Sequence, residues 1–286
     1  MCSTVRTVSY SGPSEPWRGD CKMRLQVLLS AMHLKDAGYI DTLNITSDAV
    51  VINQCDRNNE EHIKRKDTEG NDRDITYIET TDRGLSRSRN TAIDRADADI
   101  CILCDNDVEY MSDYKDSIIN SFGRHPDADI IVFYIKRKEK PVPNYPEPKR
   151  MGYLSVLKIF SPEIAFRRES IKGIRFDERF GAGSSRYLMG EENIFLYDCL
   201  KKGLKIYYEP VCIATLREEP STWFKGYNRD FFISRGANYG AMSAWFSYIL
   251  IWQFALRKRN EYCGEMKTGD ALKYMFEGRR ELLKSR

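Results

Sequence analysis

Asp105 and Asp107, one residue apart around Asn106, close an apolar run at 99–104. Two carboxylates at a strand tip can hold a divalent cation against a diphosphate, because Mg²⁺ and Mn²⁺ choose carboxylate oxygens and share them with substrate phosphates. Upstream, residues 83–90 read R-G-L-S-R-S-R-N, and downstream Gly190 is followed by the acidic pair Glu191 and Glu192. An Asx turn, a solvated basic helix face and acids favoured by a helix dipole would use the same residue types, so the elements around them carry weight.

Those elements alternate. Apolar runs predict strands from Met23 through Leu29, over 49–53, 75–78, 100–104 and 130–135. Helical patterns follow at 86–96, after the Gly84 turn, and at 114–122, and the alternation indicates an α/β layered fold. In open sheets of this kind ligands gather beyond the carboxyl ends of the strands, where Asp105 to Asp107 fall. Four prolines mark 136–149 as an extended surface loop, and a helix is expected from Glu191 to Lys202, ended at Gly203.

The chain has 286 residues, ample for a continuous core, with 45 basic and 42 acidic side chains spread along it. A net charge of +3 disfavours a nucleic-acid partner. Eight scattered cysteines read as reduced cytosolic thiols rather than a disulfide scaffold. Cys101 and Cys104 face opposite sides of their strand and cannot share a zinc ion. Residues 1–22 are polar, carry Pro13 and Pro16, and read as a disordered leader with no apolar core for export.

Taken in order, the 83–90 segment, Asp105-Asn-Asp107 and Gly190-Glu-Glu192 resemble the motifs of family 2 glycosyltransferases with the GT-A fold. Residues 51–56, V-I-N-Q-C-D, resemble a subgroup from bacterial surface-polysaccharide loci. The resemblance implies a mostly parallel mixed central sheet flanked by helices. Its catalytic domain would cover 23–225, with a nucleotide half at about 23–135 and an acceptor half at about 150–225, and a C-terminal helical section would cover 226–286. The enzyme would move a sugar from a nucleotide-sugar donor, a UDP-sugar first, to a glycan or lipid-linked acceptor. Its setting would be the cytoplasm, with peripheral contact to the inner face of the membrane.

By the same resemblance, Gln54 and Asp56 line the base and ribose pocket, and Arg83, Gly84, Leu85, Arg89 and Asn90 meet the donor diphosphate. A glycine there allows close backbone approach, arginines keep their charge, and helix-start amides favour anions. Asp107 is the expected ligand of Mn²⁺ or Mg²⁺, Asp105 its partner toward ribose and metal, and Asn106 a further donor contact. Met189 and Gly190 fall on the acceptor side. Glu192 stands at the usual aspartate base, with Glu191 as the alternative; the base takes the acceptor proton in an inverting transfer.

Two positions depart from the family pattern: Ala98 replaces a common glycine, and no histidine follows His125, which leaves the metal to aspartates, phosphates and water. A silent sugar-binding module of the same fold and a nucleotidyltransferase are the alternatives. Residues 241–256 are aromatic and apolar and lead into Arg257-Lys-Arg259. This run reads first as a helix packed on the core and second as one lying in a membrane interface. The last charges, Arg279, Arg280, Lys284 and Arg286, read as a solvated tail.

Overall fold

The computed structural model of the chain describes residues 23–67, 70–217, 224 and 226–285. The expected leader at 1–22 lies outside them. Strands β1 (Leu25–Met32), β2 (Asp48–Gln54), β4 (Asp72–Thr80) and β5 (Ile100–Asp105) run parallel in the order β4-β2-β1-β5. Their near-continuous apolar sequences suit burial on both faces. Leu28, Val50, Ile52, Cys101 and Leu103 enter one core cluster, whereas Val27, Leu29, Val51, Ile102 and Cys104 enter the other. The two thiols therefore face opposite layers, and burial pushes Cys101 up to about 12.

Among the described residues the sheet has ten strands and is mixed. Hairpin strand β3 (Asn59–Lys66) lies antiparallel on β4 at one edge. On the other side, β9 (Ile164–Arg167) sits antiparallel between β5 and β7 (Ile130–Lys136), and β7 pairs parallel with β10 (Ile206–Leu216). Two short strands, β6 (Val108–Tyr110) and β8 (Lys149–Arg150), pair antiparallel with β10.

Helices α1 (Tyr39–Thr42), α2 (Leu85–Arg95), α3 (Tyr114–Arg124) and α4 (Glu191–Lys201) accompany the sheet. The 136–149 stretch forms a strap tied down where Lys140 Nζ meets Glu163 Oε1 at 2.7 Å and Tyr208 Oη accepts from Asn144 N at 3.1 Å.

The C-terminal helices are α5 (Arg229–Met242), α6 (Phe246–Arg257), α7 (Arg259–Tyr262) and α8 (Thr268–Lys284). Among the described residues the last charges do not form a tail, although Arg280 and Lys284 are exposed. Arg279, Arg280 and Lys284 lie on α8, whose Ala271, Met275 and Leu282 are buried, while Arg286 falls outside the described residues. Arg279 donates to Ala244 O at 2.7 Å and Ser247 Oγ at 2.8 Å and stacks on Tyr248.

At the α5–α8 crossing, Gly236 lies against the Met275 backbone carbonyl and Gly278 against that of Ile233, so a Cβ at either would collide with main chain. Gly236→Ala is expected to destabilise the protein by about 1–3 kcal/mol through overpacking. Urea unfolding checks this by sign, because alanine in an uncrowded helix would stabilise instead.

Candidate active site

Parallel pairing brings four strand ends to one edge, with Met32 opposite Gln54, Gln54 opposite Thr80, and Asp105 opposite Ser30. Asp105, Asn106 and Asp107 are all half-buried there. The turn is held through its backbone: Tyr39 Oη donates to Asn106 O at 2.9 Å, and Arg217 N donates to Asp107 O at 2.8 Å. Tyr39 and Arg217 have no signature in the sequence, because they come from α1 and from the far end of β10.

The segment at 83–90 enters the same edge. Gly84 adopts φ +116°, which favours glycine, and its N–H donates to Gln54 Oε1 at 2.8 Å. Gln54 therefore braces the turn and is almost fully buried. Arg83 donates to Cys55 O at 2.9 Å and to Asp56 Oδ1 at 2.8 Å, so it joins the tips of β2 and β4. Leu85 N donates to Ala182 O at 2.9 Å, which lays the glycine-rich 181–183 loop over the start of α2.

Arg89 is the centre of the arrangement. Its guanidinium donates to Glu191 Oε1 at 2.7 Å and to Asp105 Oδ1 at 3.0 Å, and it is 1 % exposed. Burial by itself would weaken its hold on the proton; Asp105, Glu191 and Glu192 outweigh that and raise its pKa. The sequence reading assigns Arg89 to a diphosphate, yet in the structure two carboxylates take up its charge. Asn90, assigned likewise, exchanges both amide groups with the Phe176 backbone, at 2.9 and 3.0 Å.

Gly190, at φ +91°, starts α4. Asn238 of α5 donates to its carbonyl at 2.7 Å, and a Cβ on Gly190 would collide with the Asn238 amide. Asn238 is a residue that sequence reasoning missed, since only tertiary packing sets α5 beside α4. Met189, expected on the acceptor side, is buried in the core. Glu191 is buried and bonded to Arg89, whereas Glu192 is half-buried. Burial first and Glu191 second push the Glu192 carboxyl up to about 8, against the pull of Arg89 and Arg235.

His125 Nε2 meets Glu209 Oε1 at 2.5 Å and its ring stacks on Tyr207. Among the described residues no group of three or more His, Cys, Asp or Glu side chains is placed to hold a metal. The strand tip offers two carboxylates, the set that suits Mg²⁺ or Mn²⁺ shared with substrate phosphates.

The sequence matches the family model described as glycosyl transferase family 2 over residues 44–187, half of the chain. This chain belongs to glycosyl transferase family 2. The matched segment carries the 83–90 turn, the Asp105–Asp107 tip and the glycine-rich loop that leads to α4. The GT-A fold also appears in S. aureus TarS 1-349, at TM-score 0.56 and 14% identity, covering 91% of this chain and 83% of that one. The same TarS fragment in complex with UDP-GlcNAc is similar at TM-score 0.55 and 14% identity, covering 91% and 84% of the two chains. Its complex with UDP is similar at TM-score 0.56 and 14% identity, covering 90% and 81%. No curated protein matches the sequence.

Proposed function

We propose that this family 2 member is an inverting glycosyltransferase that moves a sugar from a UDP-sugar to a hydroxyl of a lipid-linked or growing surface polysaccharide. The observation that carries the reading is Arg89, which ties the Asp105 strand tip to the acidic start of α4 through one buried guanidinium. Leaving-group carboxylates and a base thereby share one rigid frame, as a single displacement requires. On this reading the nucleotide half spans about 23–135 and the acceptor half about 150–225. The nucleoside lies toward Asp56 and the hollow of about 250 Å³ lined by Lys35, Asp36, Arg57, Tyr77 and Glu79.

Asp107 and Asp105 would hold the divalent cation, which supplies electrostatic stabilisation of the departing diphosphate when bound. Arg89 holds Asp105 aimed through its guanidinium. Glu191 is engaged by Arg89, which leaves Glu192 to meet the acceptor hydroxyl as the base. Glu192 takes the acceptor hydroxyl proton as that oxygen bonds to the anomeric carbon and the bond to the diphosphate breaks. One displacement inverts the anomeric configuration, and proton coupling in the product checks it.

A thermal-shift screen of nucleotide sugars with and without Mn²⁺ tests the donor. A UDP-sugar at one hundred times its Kd is expected to add about 2.7 kcal/mol, seen as a raised Tm, with a smaller rise when Mn²⁺ is removed. No metal-linked shift for any donor would overturn the metal assignment.

The second reading of 241–256 also finds support. One face of α6 buries Leu250, Ile251 and Ala255, and the other exposes Trp245, Tyr248, Ile249, Trp252 and Leu256. No helix among the described residues is long and apolar enough to cross a membrane. An aromatic stripe ending in Arg257, Lys258 and Arg259 fits a helix lying in the headgroup layer of anionic lipid. Trp245→Ser with Trp252→Ser is expected to cut co-sedimentation with phosphatidylglycerol vesicles at least about tenfold while leaving the Tm unchanged, since neither ring is in the core.

A further inference from the structure

A cleft of about 970 Å³ opens between residues 144–158 and helices α5 and α6. Five basic residues line it, Lys149, Lys158, Arg235, Arg257 and Lys258, and no carboxylate does so among the described residues. Lys258 pairs with Glu261 at 2.6 Å. No ion pair forms to the other four among the described residues, although Lys149 lies over the Tyr145 ring and Arg235 over Phe231, Phe254 and Tyr239. Converging unpaired cations repel one another and raise the local potential, so the cleft is built to receive negative charge.

Two further observations point to a ligand. Asn144 Nδ2 and Arg235 Nε are buried donors with no hydrogen-bond partner, and both residues line the cleft. Buried donors are nearly always satisfied, and two orphaned donors on residues lining a cationic cleft call for an acceptor-only group. Phosphate oxygens provide that, and guanidinium and ammonium groups bind them with charge-assisted hydrogen bonds. The exposed ring of Tyr153 in the same wall offers a flat apolar face to a sugar.

Arg235 connects the cleft to the start of α4. Arg235 lies one helical turn before Asn238, the side chain that grips Gly190 ahead of the acidic pair. Its charge is felt at Glu192. On α6, Gln253 and Arg257 face the cleft while Trp252 and Leu256 face outward, so the cation-lined wall and the apolar stripe share one helix.

We propose that this cleft is the acceptor subsite and that it selects an acceptor carrying phosphate beside the sugar to be extended. The assignment of the cleft to the acceptor rests on the glycosyltransferase reading above; its affinity for phosphate does not. The phosphate is either the diphosphate of a lipid-linked acceptor or a phosphate within the glycan.

The test is isothermal titration of the full chain with inorganic diphosphate and with geranyl diphosphate, at saturating UDP so that the donor site is filled. Wild type is expected to bind both, more weakly as salt rises, and Lys158→Ala with Arg257→Ala, both exposed positions, to lose at least tenfold in affinity while its own affinity for UDP is unchanged. Tighter binding of geranyl diphosphate than of inorganic diphosphate supports the lipid-linked source; equal binding supports the glycan phosphate. Absence of diphosphate binding in wild type, or binding undiminished in the double variant, overturns the proposal. If UDP itself does not bind but diphosphate does and the variant loses it, the donor reading falls and the anion cleft stands.

Discussion

Asp107→Ala is expected to lower sugar transfer by about 10²–10³-fold, the scale seen when a group stabilising transition-state charge is removed. The leaving diphosphate gathers negative charge as the glycosidic bond breaks, and the proposed cation at Asp107 offsets it. The fold gives this variant a clear interpretation. The turn is held by main-chain bonds from Tyr39 to Asn106 O and from Arg217 to Asp107 O, and neither involves the deleted carboxylate. Thermal unfolding with UDP and Mn²⁺ adds a second readout: the metal-linked rise in Tm is expected to vanish while the metal-free rise persists. Transfer at the wild-type rate would remove the strand tip from the mechanism.

Glu192→Gln is expected to lower transfer by about 10²–10⁴-fold, the usual contribution of a general base, while donor binding is retained. The same substitution carries a stability signature with a defined sign. The folded-state carboxyl sits at about 8 against 4.5 for the free group, so the native state binds the proton more tightly than the unfolded chain. Stability is then full below pH 4.5 and declines as pH rises toward 8, the reverse of an ion-paired carboxylate. Each unit is worth about 1.4 kcal/mol, which makes the loss near pH 7.5 of the order of 4 kcal/mol. Glutamine cannot ionise and escapes this penalty. The variant is therefore expected to melt several degrees higher than wild type at pH 7.5 and to match it at pH 4.

Activity follows the opposite course. Because the base must be ionised to accept a proton, wild-type kcat/KM is expected to rise with pH and level off above about 8. The glutamine variant should show a low rate without that limb. A variant that is inactive yet no more stable at pH 7.5 would make Glu192 an ordinary structural carboxylate.

The parallel block of the sheet was legible because its strands are buried on both faces and their apolar runs are continuous. Strand β3, N-E-E-H-I-K-R-K, was not. As a charged edge strand it takes its conformation from pairing with β4, and edge charges are a means of blocking further pairing. Strand β10 was hidden by Pro210, which the register shift between Tyr208 and Cys212 accommodates outside the ladder. Helix α8 was obscured by its charged face, and its burial against α5 depends on two glycines far apart in sequence.

The site divides in the same way. Short-range chemistry was readable from the chain: two carboxylates at a strand tip, a glycine turn entering a helix, and an acidic pair after Gly190, because each depends only on residue type and local spacing. Tertiary structure decided the partners. It closed Arg89 between Asp105 and Glu191 across separations of 16 and 102 residues, turned Gln54 and Asn90 into braces, and set Asn238 beneath the acidic pair. It also separated the two glutamates, since an adjacent pair on a helix must point in different directions, and only packing determines which of them meets the arginine.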